Sequence, residues 1–349
     1  MIADSKAMAW RILAGLYVAS GMGWVRHRGR VVILTYHRVV SDHMVIDEHI
    51  QPGMYVRGQS FETHVAYLRK RFTIISLDEL LDLWRTSRLK NNQSYCVITF
   101  DDGWKDNYQF AFPVLMKYRV PATIFLATEF IGTARWFWPD QMMFLLEKCR
   151  QHTTCAADRK AFSTVLAETS GVMLSAADGM FRRVETGAPI DPNAIIECCK
   201  GVEVSRIHRA IDRLSCALHM DLPTHRVLLN WDEVREMAGK GVTFGSHSVS
   251  HRIMTQIPLS DVKMELIDSR QAMLEQGIKP VPVFCYPNGN FDRDIQGLVR
   301  DSGYHAAVGC EVGLEPDRPN DLFALRRISV HEDRSASVPL LAFTLSGFR

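Results

Sequence analysis

The run Tyr95-Cys96-Val97-Ile98-Thr99-Phe100 is apolar, β-branched and aromatic throughout, and it leads without a break into Asp101-Asp102-Gly103. A segment that is apolar on both alternating faces needs cover on both sides, the pattern of a strand inside a parallel sheet. Such a strand delivers two carboxylates at the place where a core ends. Left unpaired there, they are costly, so they call for a cation, a metal or a cleft. The plainer alternative is an Asp-Gly turn in which one carboxylate caps the next helix.

The flanking chain repeats the same type of strand. Val31–Tyr36 reads as the first, ending at His37-Arg38, and Phe72–Ile75 as a short one. Val120–Leu126, Gly241–Gly245 and Val281–Tyr286 follow, and strands around His305–Val308 and Leu322–Val330 finish the core. Helical spacing separates them at Phe61–Arg71, Asn107–Tyr118, Leu259–Gln276 and Asp292–Asp301, and after Asn230-Trp231-Asp232-Glu233 as far as Lys240. Ser76 and Glu79 form a helix-start pattern before Leu77, Leu80, Leu81 and Trp84. Residues 41–58 read as an irregular loop. This alternation predicts an α/β fold with a parallel sheet or barrel and helices outside it.

The alternation stops from about Arg135 to Arg226. That stretch offers helical fragments at Gln141–Arg150, Ala161–Thr169 and Val204–Leu218, and holds Cys149, Cys155, Cys198, Cys199 and Cys216 of the eight cysteines. It reads as a helical insertion, residues 135–228, into a body made of residues 31–134 and 229–349. The Trp136-Phe137-Trp138-Pro139 cluster at its start reads as packing in preference to a carbohydrate platform.

With 349 residues and 47% hydrophobic content, the chain can bury a large core, and a net charge of +2 supplies no field for nucleic acid. The cysteines form no CxxC repeat, which favours reduced thiols and a cytoplasmic setting. Residues 1–30 form a separate apolar and basic segment. Ile12–Val25 is apolar but short for a bilayer span, and Arg11, Arg26, Arg28 and Arg30 flank it. Three readings fit: a secretion signal, a helix covering the bottom of the barrel, or a helix lying on a membrane at residues 8–30. On the last reading the protein is peripheral at the inner membrane.

Two further strand ends carry chemistry. Gly245-Ser246-His247-Ser248-Val249-Ser250-His251 brings two imidazoles four residues apart onto one side of a helical turn or tight loop. Two His with one carboxylate make a facial metal site with open positions. In a parallel β/α barrel all strand C-termini share one face, so the Asp pair and the His pair can converge although far apart in sequence. Phe284-Cys285-Tyr286-Pro287-Asn288-Gly289-Asn290 runs from a strand into a Pro–Gly turn. It serves either as a plain turn or as a rigid presenter of backbone N–H groups.

Together these motifs resemble the polysaccharide deacetylase family, also called the NodB-homology or carbohydrate esterase 4 family. The likeness rests on its TFDDG and H-[ST]-x-x-H motifs and on a variant of R-x-P-Y-G, and it covers residues 31–134 and 229–331. Leu34-Thr35-Tyr36-His37-Arg38-Val39 looks like the subgroup acting on exopolysaccharides or cell-envelope glycans. The resemblance implies a distorted (β/α) barrel and hydrolysis of an N-acetyl group. It implies one divalent metal, zinc first with cobalt or nickel as the other candidates, held by Asp102, His247 and His251. Asp101 would be the general base taking a proton from the metal-bound water. The oxyanion would be held by the metal and the Asn288 N–H, with Tyr286 and Pro287 in the same turn.

Two departures from the family pattern matter. The Arg that normally pairs with the base falls on Cys285, which leaves Arg326 or Arg327 to replace it. The His expected as general acid has no clean match; His331 ends the last strand and His37, ending the first, is its rival. The substrate expected is a glycan, polymeric or lipid-linked. The other classes of function are an O-acetyl esterase and a non-catalytic glycan-binding or biosynthetic accessory protein.

Overall fold

The computed structural model describes residues 2–152 and 191–347. Seven parallel strands close into a ring: β1 (Val31–Tyr36), β5 (Tyr95–Phe100), β6 (Thr123–Leu126), β7 (Thr243–Ser246), β8 (Val283–Cys285), β9 (Ala306–Val312) and β10 (Leu325–Ser329). The pairing of β1 with both β10 and β5 closes it. The short β4 (Thr73–Ile74) lies on β5 at Tyr95 and Cys96, and β6 takes over that edge at Thr99. Both β1 and β5 are buried along all of their length, as their two-faced apolar sequences require. The result is a distorted (β/α) barrel, as the family resemblance implies, and one of the two arrangements the alternation left open.

Several local outcomes differ from the sequence reading. Residues 41–58 are not an irregular loop: they contain a helix, Asp42–Asp47, and a strand, β3 (Tyr55–Arg57), which pairs in parallel with β2 (Arg38–Val40). The expected helix at Asn107–Tyr118 opens with a π turn, Asn107–Ala111, before the α-helix Phe112–Tyr118. Pro113 has no N–H to give to the preceding turn, and the widened turn absorbs that missing bond. The helix Trp231–Gly239 is capped by Asn230, in a reciprocal capping box with Glu233. Ser76 caps the helix Leu77–Arg85 as expected, accepting a hydrogen bond from Glu79 N–H at 3.1 Å.

The chain separates into two compact units, one of Met1–Asp42, Pro52–Thr133 and Arg226–Arg349, the other of His43–Gln51 and Ala134–His225. The second unit has a core of its own. Helices Trp138–His152, Pro192–Cys199 and Val204–Leu218 bury Leu145, Leu146, Ile196, Ile211 and Leu214 together. Trp136 and Phe137 are buried, and the Trp136 indole donates to His225 O at 3.0 Å. The expected fragment Ala161–Thr169 and Cys155 lie outside the described residues. None of the described cysteines is in a disulfide.

In the barrel unit the helix Ile2–Ala19 packs against Val338–Thr344, with Trp10 and Tyr17 both edge-on to Phe343. Among the described residues no helix is long and apolar enough to cross a membrane.

Candidate active site

The end of β5 makes a tight double turn. Asp102 and Gly103 both take left-handed backbone angles, φ 75° and 80°. At Gly103 a Cβ would stand 2.7 Å from a Leu126 methyl, so both conformation and space demand glycine. At Asp102 the strained angle costs energy and is kept by its surroundings, the usual mark of a functional turn. Ser248, His251 and Asn288 share this feature, so each of the three motif loops carries left-handed, non-glycine residues.

The turn sends the two carboxylates in different directions. Asp102 Oδ1 lies 3.4 Å from His247 Nε2 and 3.2 Å from His251 Nε2. The ligand atoms of the three all lie within 4.8 Å of one another. His247 is buried, and its Nδ1 sits 2.8 Å from Cys285 O, so that nitrogen carries the proton and donates it. The Nε2 lone pair is thereby left facing Asp102, the orientation a metal-binding imidazole needs. Asp102 Oδ2 accepts from the Trp104 indole at 2.9 Å. Arg38 stacks on that indole at 4.4 Å, and is itself buried and paired with Asp106 at 2.7 Å. Burial would raise the pKa of Asp102, but the His247 and His251 imidazoles beside it hold it well below the usual carboxylate range. Two imidazoles and a carboxylate converging on one point, with the outer atoms held by a carbonyl and an indole, fit a divalent metal of the zinc type.

The two His reach this point from a loop and not from a helical turn. Ser248 Oγ accepts from His251 N–H at 2.9 Å, and the buried Glu265 accepts from Val249 and Ser250 N–H at 2.7 and 2.9 Å. Glu265 went unread in the sequence. Its signal was an acid on the buried stripe of a long helix, beside Val262, Leu266 and Ser269.

Asp101 faces Arg327. The guanidinium donates to both carboxylate oxygens at 2.7 Å, and both side chains are buried. It also donates to Gly309 O at 2.9 Å, Thr99 Oγ1 at 3.2 Å and Cys285 Sγ at 3.3 Å, which occupies every N–H it has. Burial alone would raise the pKa of Asp101; the Arg327 guanidinium overrides it and holds the carboxyl down to about 2. Cys285 stands where the family pattern has its Arg, and its small thiol makes room for a cation arriving from β10. Arg326, the other candidate, turns the opposite way and pairs with Glu315 at 3.0 Å. Successive residues on a strand face opposite sides, so Arg327 turns inward with Leu325 while Arg326 between them turns away.

The remaining predicted residues divide. His37, at the end of β1, lies in the field of the site: burial lowers its pKa, against the Asp102 and Asp101 charges, which raise it. His331 does not join them. It starts the helix Glu332–Ser335, lies 3.4 Å from Asp333, and lines a separate cleft with Trp10, Tyr55 and Arg57. Tyr286 is a packing residue, stacked on Phe291 with its hydroxyl donating to Phe323 O at 3.0 Å. Pro287 is buried, whereas Asn288 is exposed in the left-handed turn. Gly289 and Asn290 N–H donate back to Tyr286 O and Pro287 O.

Comparison with known proteins agrees with this geometry. The family model described as polysaccharide deacetylase matches residues 88–153 and 207–307. YxkH of Bacillus subtilis (strain 168), a protein named for the same activity, is 20% identical over 316 residues, covering 90% of this chain and 77% of its own. Among solved structures, the Streptococcus pyogenes deacetylase PplD in complex with acetate superposes with a TM-score of 0.55 at 16% identity, over 90% of this chain and 98% of its own. IcaB from Ammonifex degensii gives 0.55 at 16% identity, over 91% and 97%. The barrel, the motif loops on its C-terminal face and these relatives agree: the chain belongs to the polysaccharide deacetylase family and is a glycan-deacetylating hydrolase.

Proposed function

We propose that the protein is a metal-dependent hydrolase that removes N-acetyl groups from an N-acetylated sugar of an exopolysaccharide, cell-envelope or lipid-linked glycan. The observation that carries the reading is the division of labour between adjacent acids. Asp102 shares one oxygen with two imidazoles, while Asp101 is held anionic by Arg327. Asp102, His247 and His251 would hold the metal, zinc first among the candidates. A bound divalent cation supplies Lewis acidity to the acyl oxygen and to water.

Asp101 accepts the proton of the water that attacks the acetyl carbon, and Arg327 keeps that carboxylate charged and aimed. The Asn288 N–H is assigned to hold the oxygen on which charge develops. As the carbon–nitrogen bond breaks, the proton that Asp101 took from water passes through His37 to the sugar nitrogen, the amine and acetate leave, and both side chains return to their starting states. Support for His37 over His331 is that the former lies in the field of both carboxylates while the latter pairs with Asp333. Residues 31–134 and 229–349 are assigned to the catalytic body and 135–228 to an insertion that sets substrate choice. The separate core of the second unit supports that assignment, although His43–Gln51 packs with it as well.

The test is acetate release from polymeric, short and lipid-linked N-acetylhexosamine substrates, with and without chelator, beside O-acetylated counterparts. The reading expects chelator-sensitive release from an N-acetyl substrate and its loss in Asp101→Asn. Release from esters alone would make the protein an O-acetyl esterase. Full activity of Asp101→Asn would remove the assigned base.

A further inference from the structure

The helix Ile2–Ala19 has an apolar stripe on each of two opposite sides. Trp10, Ala14 and Tyr17, spaced at four and three residues, form the stripe that packs on Phe343, and Ala14 and Tyr17 are almost wholly buried. A surface helix normally carries polar residues opposite such a stripe. Here the opposite side carries Met8, Ile12 and Leu16, exposed by 65%, 55% and 63%. The chain continues through Met22 to Val25, which is 81% exposed. Of the twelve large apolar side chains exposed among the described residues, seven lie between Met8 and Val25. Scattered exposed apolar residues are ordinary, but a concentration of this kind marks an interaction surface.

The surroundings indicate what covers it. Next to Val25, a shallow cavity is lined by Arg28, Arg69, Lys70 and Arg71, with no acid among its lining residues. Arg26 and Arg30 are exposed on the same segment, and Arg11 lies among the apolar residues of the helix. The net charge of the chain is only +2, so this is a local concentration of cations. Apolar side chains bordered by cations complement a surface that is apolar below and anionic above. The helix is too short and too charged to span a bilayer, and its inner side is already engaged with the barrel unit.

We propose that the outer side of Met8–Val25, together with the Arg28–Arg69–Lys70–Arg71 cluster, docks the protein on the surface of an anionic phospholipid bilayer. Met8, Ile12, Leu16 and Val25 enter the acyl boundary, and the four cations meet lipid phosphates. Trp10 and Arg11 line the cleft next to Ser329 at the C-terminal end of β10, while Arg28 and Thr73 border the cationic cavity where the strands begin. The docking segment therefore runs along the barrel from one end to the other. The barrel then lies on its side, with its catalytic face opening parallel to the membrane. This docking is independent of the chemistry of the site.

The test uses the purified full chain, sedimented with phosphatidylcholine vesicles that contain or lack phosphatidylglycerol. Binding is expected to the anionic vesicles only. Ile12→Asp with Leu16→Asp, both at exposed positions, should weaken it at least tenfold. Arg28→Glu with Lys70→Glu should weaken it roughly fivefold for each charge removed. Both double variants should keep the wild-type circular dichroism and the wild-type turnover of a water-soluble substrate, so a failed docking would not be mistaken for a failed enzyme. Absence of wild-type binding to anionic vesicles, or binding unchanged in Ile12→Asp/Leu16→Asp, overturns the proposal. So does a wild-type dimer in light scattering that this variant converts to monomer, since a second copy would then own the surface.

Discussion

Arg327→Met removes the guanidinium and keeps most of the aliphatic stem. It leaves Asp101, 3% exposed, as a buried carboxylate without a cation. Removing one partner of a buried pair costs about 3–5 kcal/mol. The pKa supplies an independent scale. Asp101 is held at about 2 against an ordinary 3.8, which at about 1.36 kcal/mol per unit is roughly 2–3 kcal/mol in favour of the charged form. Urea unfolding in chelator of wild type, Arg327→Met, Asp101→Asn and the double variant measures the coupling. The single Arg327 variant should lose about 3 kcal/mol, and the double variant should recover at least about 1 kcal/mol of it, because no charge is then left alone. Deacetylation should fall with the first substitution, since a carboxyl freed from Arg327 and still buried drifts toward its neutral form. Strict additivity of the two substitutions, to within about 0.5 kcal/mol, would refute the coupling.

His64 gives a pH test away from the site. It is buried, with Ser335 O 2.7 Å from Nε2 and the Tyr36 hydroxyl 3.3 Å from Nδ1, and burial lowers its pKa to about 4 from 6.5. The unfolded chain takes up the proton first, so the stability is fully present above pH 6.5 and is lost as the pH falls through 4. The loss should reach roughly 2 kcal/mol by pH 5 and be flattened in His64→Gln; an unchanged pH slope in that variant would refute it. Trp104→Phe takes the indole donor from Asp102 and should weaken metal binding about 10–100-fold in chelator competition. Unaltered affinity would show that the indole does not position the carboxylate. His37→Ala should lower kcat by about 10²–10⁴, with His331→Ala within a few-fold of wild type, and the reverse order would reassign the acid.

The parts of this structure legible in the sequence were those decided by apolar pattern. Val31–Tyr36 and Tyr95–Phe100 declared themselves as doubly buried strands, and the helix Val204–Leu218 was readable to the residue from its periodicity. The convergence of Asp102 with His247 and His251 followed from topology, because parallel strand ends share a face. What stayed illegible depended on the phase of a short strand or on where the chain goes after it. Arg326 and Arg327 are adjacent and alike, and only the phase of the alternation along β10 turns the second inward. His331 and His37 both end strands, yet the chain leaves β10 into a helix that carries His331 toward Asp333. The strand Tyr55–Arg57 is three residues long, too short for alternation to register against its polar neighbours.

The origin of Arg327 on the last strand has a consequence for biogenesis. Asp101 leaves the ribosome 226 residues before its counter-ion, which lies on the strand that pairs with β1 to close the ring. Until then the carboxylate has no cation and must stay hydrated, so the nascent barrel remains open at the β1 edge. Closure of the ring and neutralisation of the buried acid are therefore a single late event, with the long-range contacts that make folding slow. A chain stopped before Leu325 lacks both at once: it should remain a chaperone client with an exposed β1 edge and bear no partially active site.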